Sequence, residues 1–305
     1  MKITRSLVVA LVLAPALAPA LAIGAQKPSD PKPSEQKPAE KPAEKKGLTG
    51  QISEEEFKKL HELKTDAAPP GKGTMIEIGK EKAYLSIPEG AKAPMPAVIV
   101  IHEWWGLNDN VMHWADRIAA EGYAAIAVDL YGGVVAKNPD EAMGAMRKVD
   151  DKKATEIMLA ALKFAKDDPR IQATKRASIG WCFGGGMSLQ LALAAPDLDA
   201  AVMYYGHPVE DPKALETLKA PLLGIFGTKD KSIPPEVVKK FDDMLTDAKK
   251  AHHFHSFDAD HAFANPSNPH YDEKNAGAAW EIARAFLAEH LKGAKAEAKE
   301  AKSPK

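Results

Sequence analysis

From about Gly71 onward, short apolar blocks alternate with longer amphipathic stretches. The blocks read as strands at Ala83–Ile87, Ala97–Ile101, Ala124–Leu130, Ala177–Trp181, Ala200–Tyr205, Leu222–Phe226 and His252–Phe257. Several are continuously apolar rather than alternating, as expected for strands buried on both faces of a parallel sheet. Helices are expected between them at about Asn108–Glu121, Pro139–Lys166, Gly185–Ala195, Pro235–Ala248 and Asn275–His290. This order predicts an α/β domain over residues 71–292, a doubly wound, mostly parallel sheet with helices on both faces. In such a sheet a ligand site belongs at the carboxyl ends of the strands.

Outside that domain the pattern changes. Residues 1–22 place Lys2 and Arg5 before an apolar run ending in Ala20-Leu21-Ala22, the layout of a signal peptide. The run is broken by Pro15 and Pro19 and is short for a span of about 20 residues. Export to the periplasm or medium is therefore expected, with no membrane span after cleavage. Residues 23–50 are rich in Pro, Lys and Glu and read as a linker that cannot bury a core. Residues 51–70 read as a short helical lead-in, with Ser53 as N-cap and Phe57, Leu60 and Leu63 on one face. The tail, 293–305, is again polar.

The 305-residue chain has a formal net charge of −1, so it has no basic field to draw nucleic acid or anionic membrane. A small-molecule substrate and a monomeric chain are expected. There is one cysteine, Cys182, which cannot form an intramolecular disulfide. It is either an inert buried thiol or a working one.

Its setting favours work. Gly180-Trp181-Cys182-Phe183-Gly184-Gly185 runs from a strand into a helix, the nucleophile-elbow pattern with cysteine in the serine place. A helix N-terminus also favours the thiolate. In this fold the acid and histidine follow the nucleophile in that order. Asp230 ends the Leu222–Phe226 strand region, and His261 follows the last strand. Asp258 and Asp260 are rivals for the acid but suit the shaping of a turn. After the strand Ala97–Ile101 comes His102-Glu103-Trp104-Trp105-Gly106. The backbone N–H groups of Trp104 and Phe183 are expected to form an oxyanion hole. Glu103, if near the thiol, could receive or hold its proton. Trp105, Trp181, Tyr131 and Tyr205 are expected to line the substrate pocket, with scattered core aromatics the alternative for Trp105 and Trp181.

Taken together, Gly180–Gly185, His102–Gly106, Gly227-Thr228-Lys229-Asp230, His261-Ala262-Phe263 and Tyr204-Tyr205-Gly206 resemble the dienelactone hydrolase family over roughly Met75 to Leu291. The resemblance implies an α/β-hydrolase fold and cleavage of a carboxylic ester or lactone through an acyl-enzyme. It also implies a Cys182–His261–Asp230 triad, no cofactor, and a glutamate, Glu103, that pairs with the thiol before substrate binds. Two arginines that grip a substrate carboxylate in the family are missing here. None lies near Leu130-Tyr131-Gly132-Gly133, and Asn265 stands shortly after His261. Neutral substrates are expected in consequence, with Lys137 the nearest candidate cation to replace the arginines.

Two other readings were weighed. His252, His253, His255, Asp258 and His261 crowd one strand and turn, but no zinc-type spacing is present and no metal is expected. A non-catalytic envelope-binding module on a hydrolase fold is the alternative function, although such a module has no need of a free thiol.

Overall fold

A computed structural model describes Glu54 and residues 71–293. The signal peptide, the linker, the tail beyond Gly293 and all of the lead-in except Glu54 lie outside the described residues. Eight strands form one sheet: β1 (Thr74–Ile78), β2 (Glu81–Ser86), β3 (Ala97–Ile101), β4 (Ala124–Val128), β5 (Arg176–Trp181), β6 (Ala200–Tyr204), β7 (Leu222–Gly227) and β8 (His252–Phe257). Their spatial order is β1-β2-β4-β3-β5-β6-β7-β8. The pairs β1/β2 and β2/β4 are antiparallel, and every other neighbouring pair is parallel.

Among residues 71–293 six α-helices flank the sheet: α1 (Asp109–Ala120), α2 (Pro139–Met146), α3 (Asp151–Asp167), α4 (Phe183–Ala194), α5 (Pro235–Asp247) and α6 (Glu273–Lys292). The sheet divides the core in two. Val98 and Val100 of β3 point to one face, where they meet Trp114 and Ile118 of α1 and Trp280 and Phe286 of α6. Ala97, Ile99 and Ile101 point to the other, where Met158 of α3, Leu189 of α4 and Phe241 of α5 lie. All five β3 residues are fully buried, which is why the strand reads as an unbroken apolar run.

The structure departs from the sequence reading in three places. β1 was not expected. It is an edge strand with no fully buried residue, so it carries little apolar signal. The single helix expected over Pro139–Lys166 is two helices, because Asp150 caps a new start by accepting from the Lys153 N–H at 2.9 Å. Trp181 is not a pocket residue. As the last residue of β5 it shares the Ile179 face, is 2 % exposed, and stacks on Trp114 at 4.5 Å between ring centroids.

Candidate active site

The carboxyl ends of β3, β5, β6, β7 and β8 converge on a cavity of about 510 Å³. Cys182 lies there, between β5 and α4, with φ 54° and ψ −118°. A non-glycine residue in that region is strained and persists only where its surroundings force it. Here the forcing is steric. A Cβ on Gly180 would overlap the Gly184 carbonyl, and one on Gly184 would overlap the main chain at the end of β3. The turn is thus tight enough to lift the thiol above the sheet, and the Tyr204 carbonyl pins it by accepting from the Cys182 N–H at 3.0 Å.

His261 reaches the thiol from the turn after β8. Its Nδ1 lies 2.6 Å from Asp230 Oδ2, and His261 and Cys182 line the same cavity. Asp230 is buried, and its Oδ1 accepts the N–H groups of Ser232 at 2.8 Å and Ile233 at 3.0 Å. Burial penalises a charged imidazole. The hydrogen bonds and charges of Asp230 and Cys182 outweigh it and raise His261 to about 10. Burial acts against ionised Asp230 too, yet His261 and the two main-chain donors bring its pKa below the ordinary value. The rival acids lie elsewhere: Asp258 is exposed and pairs with Lys229 at 3.0 Å, and Asp260 faces His270 at 3.9 Å.

The segment after β3 is fixed by His102. The Leu130 N–H donates to His102 Nε2 at 3.1 Å, so Nδ1 carries the ring proton and donates to the Glu103 carbonyl at 2.6 Å. Full burial pushes the His102 pKa down, consistent with a neutral ring. Gly106 N–H donates to the same carbonyl at 3.3 Å. In a trans peptide the N–H points opposite to the C=O, so tying down the Glu103 carbonyl turns the Trp104 N–H the other way. Phe183 is the first residue of α4, where a helix leaves its N–H groups without intrahelical acceptors.

The Glu103 carboxyl is 6 % exposed and lines the cavity. Oε2 accepts from Asn265 Nδ2 at 2.5 Å, whereas Oε1 has no partner among the described residues. Burial is the dominant influence and raises its pKa to about 7, against the Asn265 hydrogen bond and the charge of His261. Asn265 and its neighbour Asn110 were not singled out as functional from sequence. Their only signal there was an asparagine standing where an arginine is usual.

Trp104, Trp105, Phe183 and Tyr205 line the cavity, with Met143 and Met146 of α2 and Met187 of α4. Tyr205 also sits at a positive φ of 37°, with its ring 5.0 Å from that of His261. Tyr131 does not line this cavity. It packs edge-on to His102 at 4.6 Å and belongs to a neighbouring hollow of about 530 Å³ with Leu130, Gly132 and Val134. No arginine or lysine lines the Cys182 cavity among the described residues, while the carboxylates Glu103 and Asp151 do. Lys137 is exposed, lies outside that lining, and its main-chain N–H donates to Glu141. Of the β8 histidines, His252 is held by Lys250 and Asp242, and His253 and His255 are exposed. Among the described residues no group of three or more His, Cys, Asp or Glu is placed to hold a metal ion, and no helix is long and apolar enough to cross a membrane.

The chain is similar to known proteins over most of the described residues. A protein of Aquifex aeolicus named "Putative carboxymethylenebutenolidase" is 32 % identical over 240 residues, covering 72 % of this chain and all of that protein. Protein usf of Aquifex pyrophilus is 33 % identical over 235 residues, covering 72 % of this chain and 99 % of its own. Among solved structures, a dienelactone hydrolase-like promiscuous phosphotriesterase from metagenomic libraries superposes with a TM-score of 0.65 at 25 % identity, over 72 % of this chain and 98 % of that one. The dienelactone hydrolase family itself matches residues 82–291. The chain, an eight-stranded α/β sheet with a cysteine elbow at its carboxyl edge and matched over residues 82–291, therefore belongs to the dienelactone hydrolase family and is an ester or lactone hydrolase.

Proposed function

We propose that the chain hydrolyses a neutral carboxylic ester or lactone by covalent catalysis, with Cys182 as nucleophile, His261 as acid and base, and Asp230 as orienter. The observation that carries this reading is the Cys182–His261–Asp230 line itself. A strained elbow residue at a helix N-terminus shares its cavity with an imidazole that a buried carboxylate holds at 2.6 Å, and its charge helps to raise that imidazole's pKa. The Cys182 thiolate attacks the substrate carbonyl carbon, forming an S–C bond as the C=O pair moves onto oxygen. The Trp104 and Phe183 N–H groups receive that oxyanion. Collapse expels the alkoxide, which takes a proton from His261 and leaves a thioester. Water then gives its proton to His261, attacks the thioester and releases the acid. Glu103 takes or returns the thiol proton on the cavity side. These steps call for no cofactor.

Substrate charge follows from the lining. A buried substrate carboxylate needs a paired cation, and the cavity presents Glu103 and Asp151 without arginine or lysine. We infer that neutral substrates are preferred, and that the chain acts outside the cytoplasm, as the N-terminal charge and hydropathy pattern supports. The test is a panel of esters and lactones, each beside a carboxylate-bearing analogue of equal size, assayed with wild type and Cys182→Ala. Abolished turnover in the variant and a higher kcat/KM for the neutral members are expected. Near-normal turnover by Cys182→Ala would move the nucleophile elsewhere, and a clear preference for carboxylated members would refute the charge argument.

A further inference from the structure

Three side chains far apart in sequence lock together beside the cavity. Asn265, 3 % exposed, donates from Nδ2 to Glu103 Oε2 at 2.5 Å. Its Oδ1 accepts from Asn110 Nδ2 at 3.2 Å and from the Ser267 N–H at 2.8 Å. A main-chain N–H can only donate, so the Asn265 oxygen must face Ser267 and the NH₂ must face Glu103. The orientation of the amide is thereby decided by its neighbours.

That orientation has a chemical consequence. An amide NH₂ offers protons and accepts none, so Glu103 Oε2 must act as an acceptor whether the carboxyl is charged or neutral. A proton taken up by Glu103 can then sit only on Oε1. Oε1 is the oxygen with no partner among the described residues, on a side chain that lines the Cys182 cavity. We propose that Asn265 is a positioning residue that makes Glu103 a one-sided proton acceptor, with Oε1 kept free for a proton from the cavity side. The inference rests on the reading of Cys182 as nucleophile. In the step it serves, the Cys182 S–H bond breaks, an O–H bond forms at Oε1, and the negative charge passes from carboxylate to sulfur.

The neutrality of the clamp matters as much as its direction. A cation in its place would pair with the carboxylate and keep it ionised well below neutral pH. The amide lowers the Glu103 pKa only in part, so burial prevails and the group titrates at about 7. The titratable groups around it are Cys182 at the elbow, His261 after β8 and Tyr205 after β6, with His102 beneath its own main chain. Burial first, and then the charge of Glu103, push the Tyr205 hydroxyl well up, and burial pushes His102 down. His261 is held at about 10. Burial thus brings Glu103 to about 7 on the wall of the Cys182 cavity.

The pH dependence of Cys182 alkylation by iodoacetamide tests this without a substrate. Wild type is expected to show an inflection near pH 7 that Glu103→Gln removes. Asn265→Ala, losing a hydrogen bond to the charged form, is expected to move it up by about one unit. Asn265→Asp still receives the Asn110 and Ser267 donors but offers Glu103 no proton and adds a like charge, so a larger upward shift is expected. Asn265→His, which can donate from a ring nitrogen, should bring the inflection back toward the wild-type value. If Asn265→Asp does not fold, Asn265→Ala and Asn265→His decide the matter. An inflection in Asn265→Ala at the wild-type pH, or none in wild type, overturns the inference. If Cys182→Ala is inactive while Asn265→Ala leaves the profile unchanged, this inference alone fails. Normal turnover by Cys182→Ala would bring down the underlying reading as well.

Discussion

Replacing Asp230 by Asn changes one group in the triad, and the surroundings decide how the amide must sit. Asp230 Oδ1 accepts two main-chain N–H groups, from Ser232 and Ile233, so the amide oxygen has to occupy that position. The NH₂ then takes the place of Oδ2, which lies 2.6 Å from His261 Nδ1. A donor facing Nδ1 forces Nδ1 to accept, which puts the ring proton on Nε2. A neutral ring with its one proton on Nε2 and a donor facing Nδ1 cannot take the proton of the attacking water, the step that restores His261 after the thioester forms. The imidazolium also loses the carboxylate that holds it at about 10. For a triad disabled by the wrong tautomer, a loss of about 10³- to 10⁴-fold in kcat/KM is expected, roughly 4–5 kcal/mol of barrier. The fold should survive, because the Ser232 and Ile233 bonds remain. The assay is kcat/KM on p-nitrophenyl acetate, with circular dichroism to show that the variant is folded. A folded variant within tenfold of wild type would refute the assignment of Asp230.

Two predictions concern stability. Glu103 titrates at about 7 in the folded chain against 4.5 for an ordinary glutamate, so its contribution is fully present below pH 4.5 and is lost as pH rises through 7. Glu103→Gln should therefore be more stable than wild type at pH 8 by up to about 3 kcal/mol and little changed at pH 4, as urea unfolding at the two pH values will show. Glu54 accepts from the Tyr271 hydroxyl at 2.7 Å and pairs at 2.8 Å with Arg117, a buried guanidinium over the Trp114 and Trp280 rings. Glu54→Ala should cost about 2–4 kcal/mol in the same assay, and a change below about 0.5 kcal/mol would show that Glu54 does not anchor the domain.

Most of the fold was legible because its signals are local, and the proposed triad rests on signals of the same kind. The elbow announces itself through glycines flanking a lone cysteine, and Asp230 and His261 each follow a strongly apolar or aromatic strand. What escaped was set by weak or distant signals. β1 has no buried run to betray it, and the α2–α3 break turns on the single cap Asp150. Trp181 was misplaced because aromatic character was weighed over parity. Two residues after Ile179 on the same strand, it must share that residue's face. Tyr131 follows β4, and the turn there carries it into the adjoining hollow, which no local sequence signal reports. The Asn265 clamp joins residues 155 and 162 positions apart, and no short-range pattern reports such a contact.

A thioester on Cys182 would be caught by a rapid acid quench during turnover of p-nitrophenyl acetate followed by peptide mass analysis. One acetyl group per chain is predicted on the tryptic peptide carrying Cys182, appearing within the first turnover and absent from Cys182→Ala. Acetylation of another side chain, or steady turnover with no adduct on that peptide at any quench time, would contradict it.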